Sequence, residues 1–147
     1  MPHLVLRPAD DADWSPIATL LQQCSLPLDG AREHLRAYLV AEVDGAIVGT
    51  AGLEVHGDAA LLRSVAVAPA WRGLGIGRAL VQAAIADARQ RHVKNLHLLT
   101  TTASAYFSKV GFSNETRADV PSSLKASAEF QGACPSSAAC MSRQLAA

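Results

Sequence analysis

LRSVAVAPAWRGLGIGR, residues 62–78, joins an apolar strand-like run, a Gly-rich turn and the start of a helix-forming stretch. The apolar run stops at Pro69, and residues 72–78 contain three glycines and two arginines. Glycine lets a backbone approach a ligand without a Cβ in the way, and the first N–H groups of a helix have no intrahelical partner. The helix dipole and the arginines favour an anion. This order of elements predicts a cradle for a phosphorylated cofactor.

The spacing within the cradle excludes two common phosphate-binding loops. A mononucleotide P-loop has Lys and then Ser or Thr after its last glycine, whereas Gly77 is followed by Arg78 and Ala79. The dinucleotide fingerprint G-x-G-x-x-G/A fails from Gly73, whose sixth position is Arg78, and it fails from Gly75 as well. A Gly-rich turn that only caps a helix is the plainer alternative.

The pattern that fits is Arg72-x-x-Gly75-x-Gly77, following a strand that ends V-A-V-A-P. It resembles the acyl-CoA pyrophosphate loop of the GCN5-related N-acetyltransferases (GNAT). The resemblance implies acetyl-CoA as co-substrate, with its pyrophosphate on the loop and its pantetheine arm against the strand. The implied cofactor-binding residues are Val65, Val67, Arg72, Gly73, Gly75, Ile76, Gly77, Arg78, Thr101 and Phe107.

Composition bounds the class of protein. With 147 residues, half of them apolar, and a net charge of zero, we expect one domain, residues 1–147, and neither disorder nor a nucleic-acid partner. No apolar stretch approaches the roughly 20 residues that span a bilayer, and the N-terminus lacks a signal-peptide pattern. We therefore expect a cytoplasmic protein with reduced cysteines and a small-molecule amine as partner; a homodimer is left open.

Hydrophobic patterns and turn signals predict the order of elements. The Asp44-Gly45 pair is a strong hairpin signal, and a second hairpin turns at residues 56–58. The predicted strands are residues 3–7, 38–43, 46–55, 60–67, 95–100 and 140–145, and the predicted helices follow residue 13 and cover 31–36, 76–90 and 103–110. This order, which is also that of GNAT proteins, predicts an α+β, three-layer α/β/α fold. The resemblance implies a mixed, mostly antiparallel sheet that is splayed after the fourth strand.

Acetyl transfer to an amine needs a base, stabilisation of the carbonyl oxygen and a proton for the leaving thiolate. The resemblance implies that the Val65 N–H polarises the thioester. It also implies a Tyr acid four residues before the glycine of Gly111-Phe112, but Phe107 stands there and Tyr106 precedes it. Either Tyr106 acts from a shifted geometry, or water or Thr101 supplies the proton.

Glu54, near the end of the third strand, is the predicted base and also a predicted acceptor-binding residue. The alternative is a solvated strand-end glutamate, and Glu42 and His56 are further candidates for the base. His97, between two leucines, is predicted to be structural.

Arg63 interrupts the apolar run of a central strand, where charged residues are rare unless they are paired or functional. Its guanidinium could hold an acceptor carboxylate through two parallel hydrogen bonds. We therefore predict that Arg63 binds an amino-acid-like acceptor. An outward-facing salt bridge is the alternative.

A narrower resemblance rests on GLEVHGDAALLRSVAVAPAWRG, LLTTTASAYFSKVGF and the tail SLKASAEFQGACPSSAACMSRQL. Together they are similar to arsenic-resistance-associated N-acetyltransferases of bacterial arsenic operons. That resemblance implies detoxification by acetylating the α-amino group of an organoarsenical glutamate analogue, with phosphinates or ordinary amino acids as neighbouring acceptors. A general glutamate-type N-acetyltransferase and a non-catalytic acyl-CoA sensor are the alternatives.

The tail contains two cysteines, Cys134 and Cys140, six positions apart. Two soft thiolates could bind a trivalent metalloid. Free cysteines are more often small buried apolar residues, and two thiols make an incomplete zinc site. We expect a structural role for both cysteines and no metal.

Overall fold

The computed structural model describes residues 3–135 and 137–145, which form one seven-stranded sheet with helices on both faces. The strands are β1 Leu4–Pro8, β2 Tyr38–Val43, β3 Ala46–His56, β4 Ala59–Val67, β5 Asn95–Thr100, β6 Ser113–Asn114 and β7 Ala139–Gln144. They lie in the order β1-β2-β3-β4-β5-β7-β6, and among these strands only β4 and β5 pair in parallel. The predicted α+β class is confirmed.

Two longer helices cover opposite faces of the sheet. Helix α1, Trp14–Gln23, packs Ile17, Leu20 and Leu21 onto one face. Helix α2, Ile76–Gln90, buries an apolar stripe against the other face. Three layers result, as predicted, because each helix has one apolar side that the sheet covers. No helix in the described ranges is long and apolar enough to cross a membrane.

Local turn chemistry explains the first hairpin. Asp44 and Gly45 have φ angles of 50° and 84°, the left-handed values that a two-residue turn with the twist of the strands requires. β2 and β3 pair on either side of this turn, with Val43 opposite Ala46. The prediction from Asp44-Gly45 is confirmed.

Several short elements differ from the predictions. The segment predicted as a helix over residues 31–36 is a 3-10 helix, Arg32–Ala37, kinked at His34. The short helix α3 covers Ser104–Lys109. The stretch after Phe112, which has no clear sequence pattern, contains β6, a 3-10 turn and α4, Ser122–Lys125, and a single π-helical turn, Glu129–Ala133, follows it.

β4 and β5 separate after only three paired positions. Ala59 to Leu61 lie beside Asn95 to His97, and no later pair joins the two strands in the described ranges. On its other edge β4 carries a bulge, because Gly52 pairs with Arg63 while Thr50 pairs with Ala66. Within this bulge Ser64 adopts a φ of 58°. The predicted splay after the fourth strand is confirmed, and it leaves the C-terminal half of β4 facing open space.

Candidate active site

The space between the separated strands is a cavity of about 620 Å³. β4 and β5 form its sides, and the first turn of α2 lies at its edge. The tail after α4 and the loop after α1, with Ser25, Leu26, Pro27 and Asp29, cover the remaining side. Of the residues predicted from the sequence, the cavity is lined by Arg63, Val65, Gly77, Arg78, Thr101, Tyr106 and Phe107.

The Gly-rich turn has the backbone geometry of an anion cradle. Gly73 and Gly75 have φ angles of 80° and 83°, and a Cβ at either position would meet no atom within 4 Å. Such angles strain any other residue. The Ala79 N–H bonds to the Gly75 carbonyl, so the three preceding helical N–H groups have no intrahelical acceptor. The loop fits a pyrophosphate group, because these donors and the positive end of the helix dipole point the same way.

Other residues of the loop support it rather than line the cavity. Arg72 Nε donates to the Val67 carbonyl at 3.1 Å, which ties the turn to the end of β4. Ile76 is buried beneath the first turn of α2 and belongs to the main core. The predicted direct contacts of Arg72 and Val67 with coenzyme A stay predictions, and Arg72 already uses two donors on the protein, since its Nη2 also lies 3.4 Å from Cys24 Sγ.

The two aromatic residues of α3, Tyr106 and Phe107, have different surroundings. Phe107 is 6% exposed and meets Phe112 edge to face, with centroids 5.6 Å apart. The Tyr106 hydroxyl is buried and has no hydrogen-bond partner within residues 3–135 and 137–145. Burial raises the pKa of Tyr106, and the nearby Arg78 charge offsets part of that rise. A buried, unpaired hydroxyl beside the cavity fits a group that donates to a ligand.

Arg63 is completely buried at the floor of the cavity and is ion-paired. Its Nη1 donates to Glu54 Oε1 at 2.7 Å, and its Nε lies 3.3 Å from Glu129 Oε2. Nη2 reaches the Pro27 carbonyl at 3.5 Å. The arginine therefore faces the interior rather than solvent. An acceptor carboxylate would have to displace Glu129 to reach the guanidinium.

Glu54 is 2% exposed and does not line the cavity, so it is not a solvated strand-end residue. Oε1 accepts from Arg63 and from Ser127 Oγ at 2.9 Å, and Oε2 lies 3.0 Å from His56 Nε2. Burial alone would raise the pKa of Glu54, but the hydrogen bonds from His56, Arg63 and Ser127 outweigh it and lower the pKa. Its role as the base stays a prediction.

Glu129 is a charged residue of the cavity that the sequence did not predict, and Asp29 is another. Glu129 is 4% exposed, lines the cavity and faces Arg63. Burial raises its pKa, with Arg63 and Cys134 acting in the opposite direction. It lies in the π-helical turn of the tail, where no periodicity marks it. Only the packing of the tail against β4 brings it to the cavity.

The remaining candidates lie elsewhere. Glu42 pairs with Arg7 at 3.0 Å near the edge of the sheet. His97 is 4% exposed, and its Nδ1 lies 2.7 Å from Glu115 Oε2, which fits the predicted structural role.

Sequence comparison agrees with this geometry. The profile of the acetyltransferase (GNAT) domain matches residues 34–114, which include the hairpins, the cradle and α3. The chain belongs to the GNAT family.

Relatives and solved structures of GNAT proteins resemble this domain to different extents. Mycothiol acetyltransferase from Nocardia farcinica is 45% identical over 85 residues, which is 56% of this chain and 26% of that protein. N-acetylglutamate synthase from Neisseria gonorrhoeae, solved with coenzyme A and N-acetyl-glutamate, superposes with a TM-score of 0.84 at 24% identity. That likeness covers 99% of this chain and 36% of the other.

A third protein is similar along its whole length. Rv2747 from Mycobacterium tuberculosis, solved in complex with CoA and NLQ, has a TM-score of 0.80 at 24% identity, covering 97% of this chain and 99% of that one. At this identity the likeness establishes the fold. By contrast, the chain spans about a quarter of the length of the mycothiol acetyltransferase and about a third of the length of the synthase.

The tail cysteines of this GNAT domain sit in environments that keep thiols protonated. Cys134 is half-buried beside Glu129, and burial together with that charge raises its pKa to about 12. Cys140 is buried in a small apolar cluster, and burial raises its pKa as well. A protonated thiol is a poor ligand for a soft ion, so these surroundings favour the structural role. Ser136 of the tail motif lies outside the described residues.

The hydrogen bonds of Glu54 give this GNAT domain a pH-dependent stability. Because the pKa of Glu54 is lower in the folded chain than its ordinary value of 4.5, its charge stabilises the fold above pH 4.5, and this is lost as the pH falls further. We expect Glu54→Gln to lower the free energy of unfolding at pH 7 by up to about 3–5 kcal/mol. The deficit should shrink below pH 4.5 in denaturant titrations.

Glu42→Gln is the matched control, since it removes a part-exposed ion pair worth at most about 1 kcal/mol. Glu54→Gln could instead lower the free energy of unfolding equally at pH 7 and at pH 3, or by no more than the control does. Either result would show that the charge of Glu54 does not stabilise the fold as described.

Proposed function

We propose that residues 1–147 form a single domain that transfers an acetyl group from acetyl-CoA to the α-amino group of a small amino-acid-like acceptor. The observation that carries this proposal is the cavity between β4 and β5, which has the glycine cradle at one edge and Arg63 with Glu129 at its floor. Family membership supports the acetyl donor, and the synthase that superposes on this chain binds coenzyme A together with an acetylated amino acid.

The cradle would hold the pyrophosphate on the N–H groups of the first turn of α2, with Arg78 beside it. Val65, on the free edge of β4, lines the cavity, so its N–H is available to stabilise the negative charge that develops on the thioester oxygen. Thr101 lies at the opposite wall. These groups hold the reacting carbonyl and the amine together, which supplies much of the rate enhancement.

Glu129 is our choice for the base that takes the proton of the amine, ahead of Glu54. Glu129 lines the cavity and carries a raised pKa, as a general base near neutral pH requires. Glu54 lies behind Arg63 and has both oxygens in hydrogen bonds. Tyr106 is the proposed donor to the leaving thiolate, and water or Thr101 stays the alternative.

The acceptor side is formed by the chain's own tail together with the loop after α1, which contributes Ser25, Leu26, Pro27 and Asp29. Ala133, Cys134, Pro135 and Ala138 line the cavity next to Glu129, so the segment most similar to the arsenic-resistance acetyltransferases contacts the acceptor space. On this basis we propose that the acceptors are glutamate analogues, with organoarsenical and phosphinate compounds among them. A general glutamate N-acetyltransferase is the second candidate.

Acceptor choice is tested by release of free thiol from acetyl-CoA with a panel of amino acids, glufosinate and an arsenic-containing glutamate analogue. We expect turnover with the glutamate analogues at a higher kcat/KM than with glutamate, because the tail forms part of the acceptor space. Turnover with glutamate alone would remove the detoxification proposal. Binding of acetyl-CoA without turnover on any acceptor would favour the sensor alternative that Phe107 keeps open.

Arg63→Lys tests the carboxylate contact. The acceptor carboxylate would take the place of Glu129 on the guanidinium while Nη1 stays on Glu54. A lysine keeps the charge but lacks the separate nitrogens that serve both carboxylates, so we expect KM for the acceptor to rise about tenfold or more, with little change in KM for acetyl-CoA. Arg7→Lys, in an ion pair at the edge of the sheet, is the matched control. An unchanged acceptor KM in a folded Arg63→Lys protein would refute the contact.

The base and the acid are tested together by the pH profile of kcat/KM. Activity should rise with pH as Glu129 loses its proton, and this limb should lie above the ordinary Glu pKa of 4.5 because burial raises the pKa. It should fall only above pH 10, because burial raises the pKa of Tyr106 from 10.0.

We expect Glu129→Gln to abolish the acidic limb and to lower kcat by about 100-fold or more, and Tyr106→Phe to abolish the alkaline limb. If Glu54→Gln removes the acidic limb while Glu129→Gln leaves it intact, Glu54 is the base. If Tyr106→Phe leaves the alkaline limb and kcat unchanged, water or Thr101 supplies the proton.

A further inference from the structure

A second cavity, of about 410 Å³, lies on the other side of the Glu54–Arg63 ion pair. It is lined by Glu54 but not by Arg63, whereas the acceptor cavity is lined by Arg63 but not by Glu54. Two histidines from different elements open into it: His34 from the kinked 3-10 helix and His56 from the end of β3. The acetyl-transfer proposal does not use these histidines.

The side chains of His34, His56 and Glu54 bring two ring nitrogens and a carboxylate oxygen close together. His56 Nε2 is 3.0 Å from Glu54 Oε2, and His34 Nε2 is 3.7 Å from the same oxygen. One ligand atom from each residue lies within 4.8 Å of the other two. Ligands about 2.0–2.2 Å from a tetrahedral zinc ion are about 3.4 Å from one another. The two distances to Glu54 Oε2, 3.0 Å and 3.7 Å, lie on either side of that value.

The carboxylate is oriented for this role by its other contacts. Oε1 accepts from Arg63 and Ser127, which leaves Oε2 toward the two imidazoles. Gly30 allows the His34 segment to approach: a Cβ there would lie 3.3 Å from Arg63 Nη1 and 3.9 Å from Glu54 Oε1. Hydrogen-bonded support of a ligating carboxylate is what protein metal sites normally have.

We propose that His34, His56 and Glu54 bind a divalent transition-metal ion of the zinc class. Two imidazoles and one carboxylate are a ligand set that zinc, cobalt and iron accept, with further positions open to solvent or a small ligand. The adjacent cavity provides that space. The sequence prediction of no metal rests on the two tail cysteines alone. His34 and His56 lie 22 positions apart on either side of a hairpin, a spacing that does not mark them as a pair of ligands.

The site would connect the metal to the floor of the acceptor cavity through a single carboxylate. Glu54 would bind the ion through Oε2 and hold Arg63 through Oε1. The metal would therefore act as a structural clamp that joins the 3-10 helix to β3 and fixes the position of Arg63. It would not touch the acetyl group or the amine.

The test is a calorimetric titration of the chelator-treated protein with Zn²⁺, repeated with Co²⁺ to record the visible absorption of the bound ion. We expect one equivalent per chain, and His34→Ala and His56→Ala should each weaken binding at least about tenfold. His3→Ala and Cys134→Ser are the controls, since His3 is exposed outside the cluster and Cys134 lies in the acceptor cavity. Both controls should bind zinc like the unchanged protein.

A second measurement requires neither a variant protein nor acetyltransferase activity. Diethyl pyrocarbonate modifies neutral imidazoles, and mass spectrometry locates the modified residues. Zinc should protect His34 and His56 from modification and leave His3 unprotected. Absence of binding with millimolar zinc, binding that both histidine variants retain, or loss of binding in Cys134→Ser would each overturn the proposal. None of these outcomes depends on acetyl transfer.

Discussion

The separation of β4 from β5 is the constraint on which the rest of the structure depends. The two strands share three positions and then part, so the edge of β4 beyond Leu61 has no strand beside it in the described chain. Buried backbone groups need hydrogen-bond partners, and an unpaired edge inside a sheet is therefore a place for a ligand with amide groups. The bulge at Ser64 lies on the opposite edge of β4, and the Ser64 hydroxyl is 2.6 Å from the Tyr38 hydroxyl. A bulge bends the strand that carries it, here next to the point where β4 parts from β5.

The ionisable groups at the floor of the opening are paired with one another within the protein. One guanidinium, Arg63, faces two carboxylates, Glu54 and Glu129. The two carboxylates differ because their surroundings differ: several hydrogen bonds lower the pKa of Glu54, whereas burial raises that of Glu129. Groups of one type with pKa values pushed apart can take different roles in one site. Here Glu54 holds the arginine, and Glu129 is the one that contacts the cavity.

Features with a local cause were predictable from the sequence. The Asp44-Gly45 turn needs two left-handed residues, and the cradle needs glycines at 73 and 75 for the same reason. The apolar stripe of α2 follows from helical periodicity. The presence of Phe107 in place of the expected tyrosine was also visible in the sequence, because it stands four residues before Gly111. Its edge-to-face contact with Phe112 explains why an apolar ring stands there.

The sequence by itself predicted the α+β class, six of the seven strands in their order along the chain, and the glycine turn before α2, because turn residues and hydrophobic periodicity are local signals. Only the tertiary structure decided what surrounds Arg63, that Glu129 reaches the cavity and that His34 meets His56 at Glu54. Ser127 and Glu54, which share a hydrogen bond, are 73 positions apart. Contacts of that kind leave no periodicity or spacing in the chain, since they join an irregular tail to strands that are far away in the sequence.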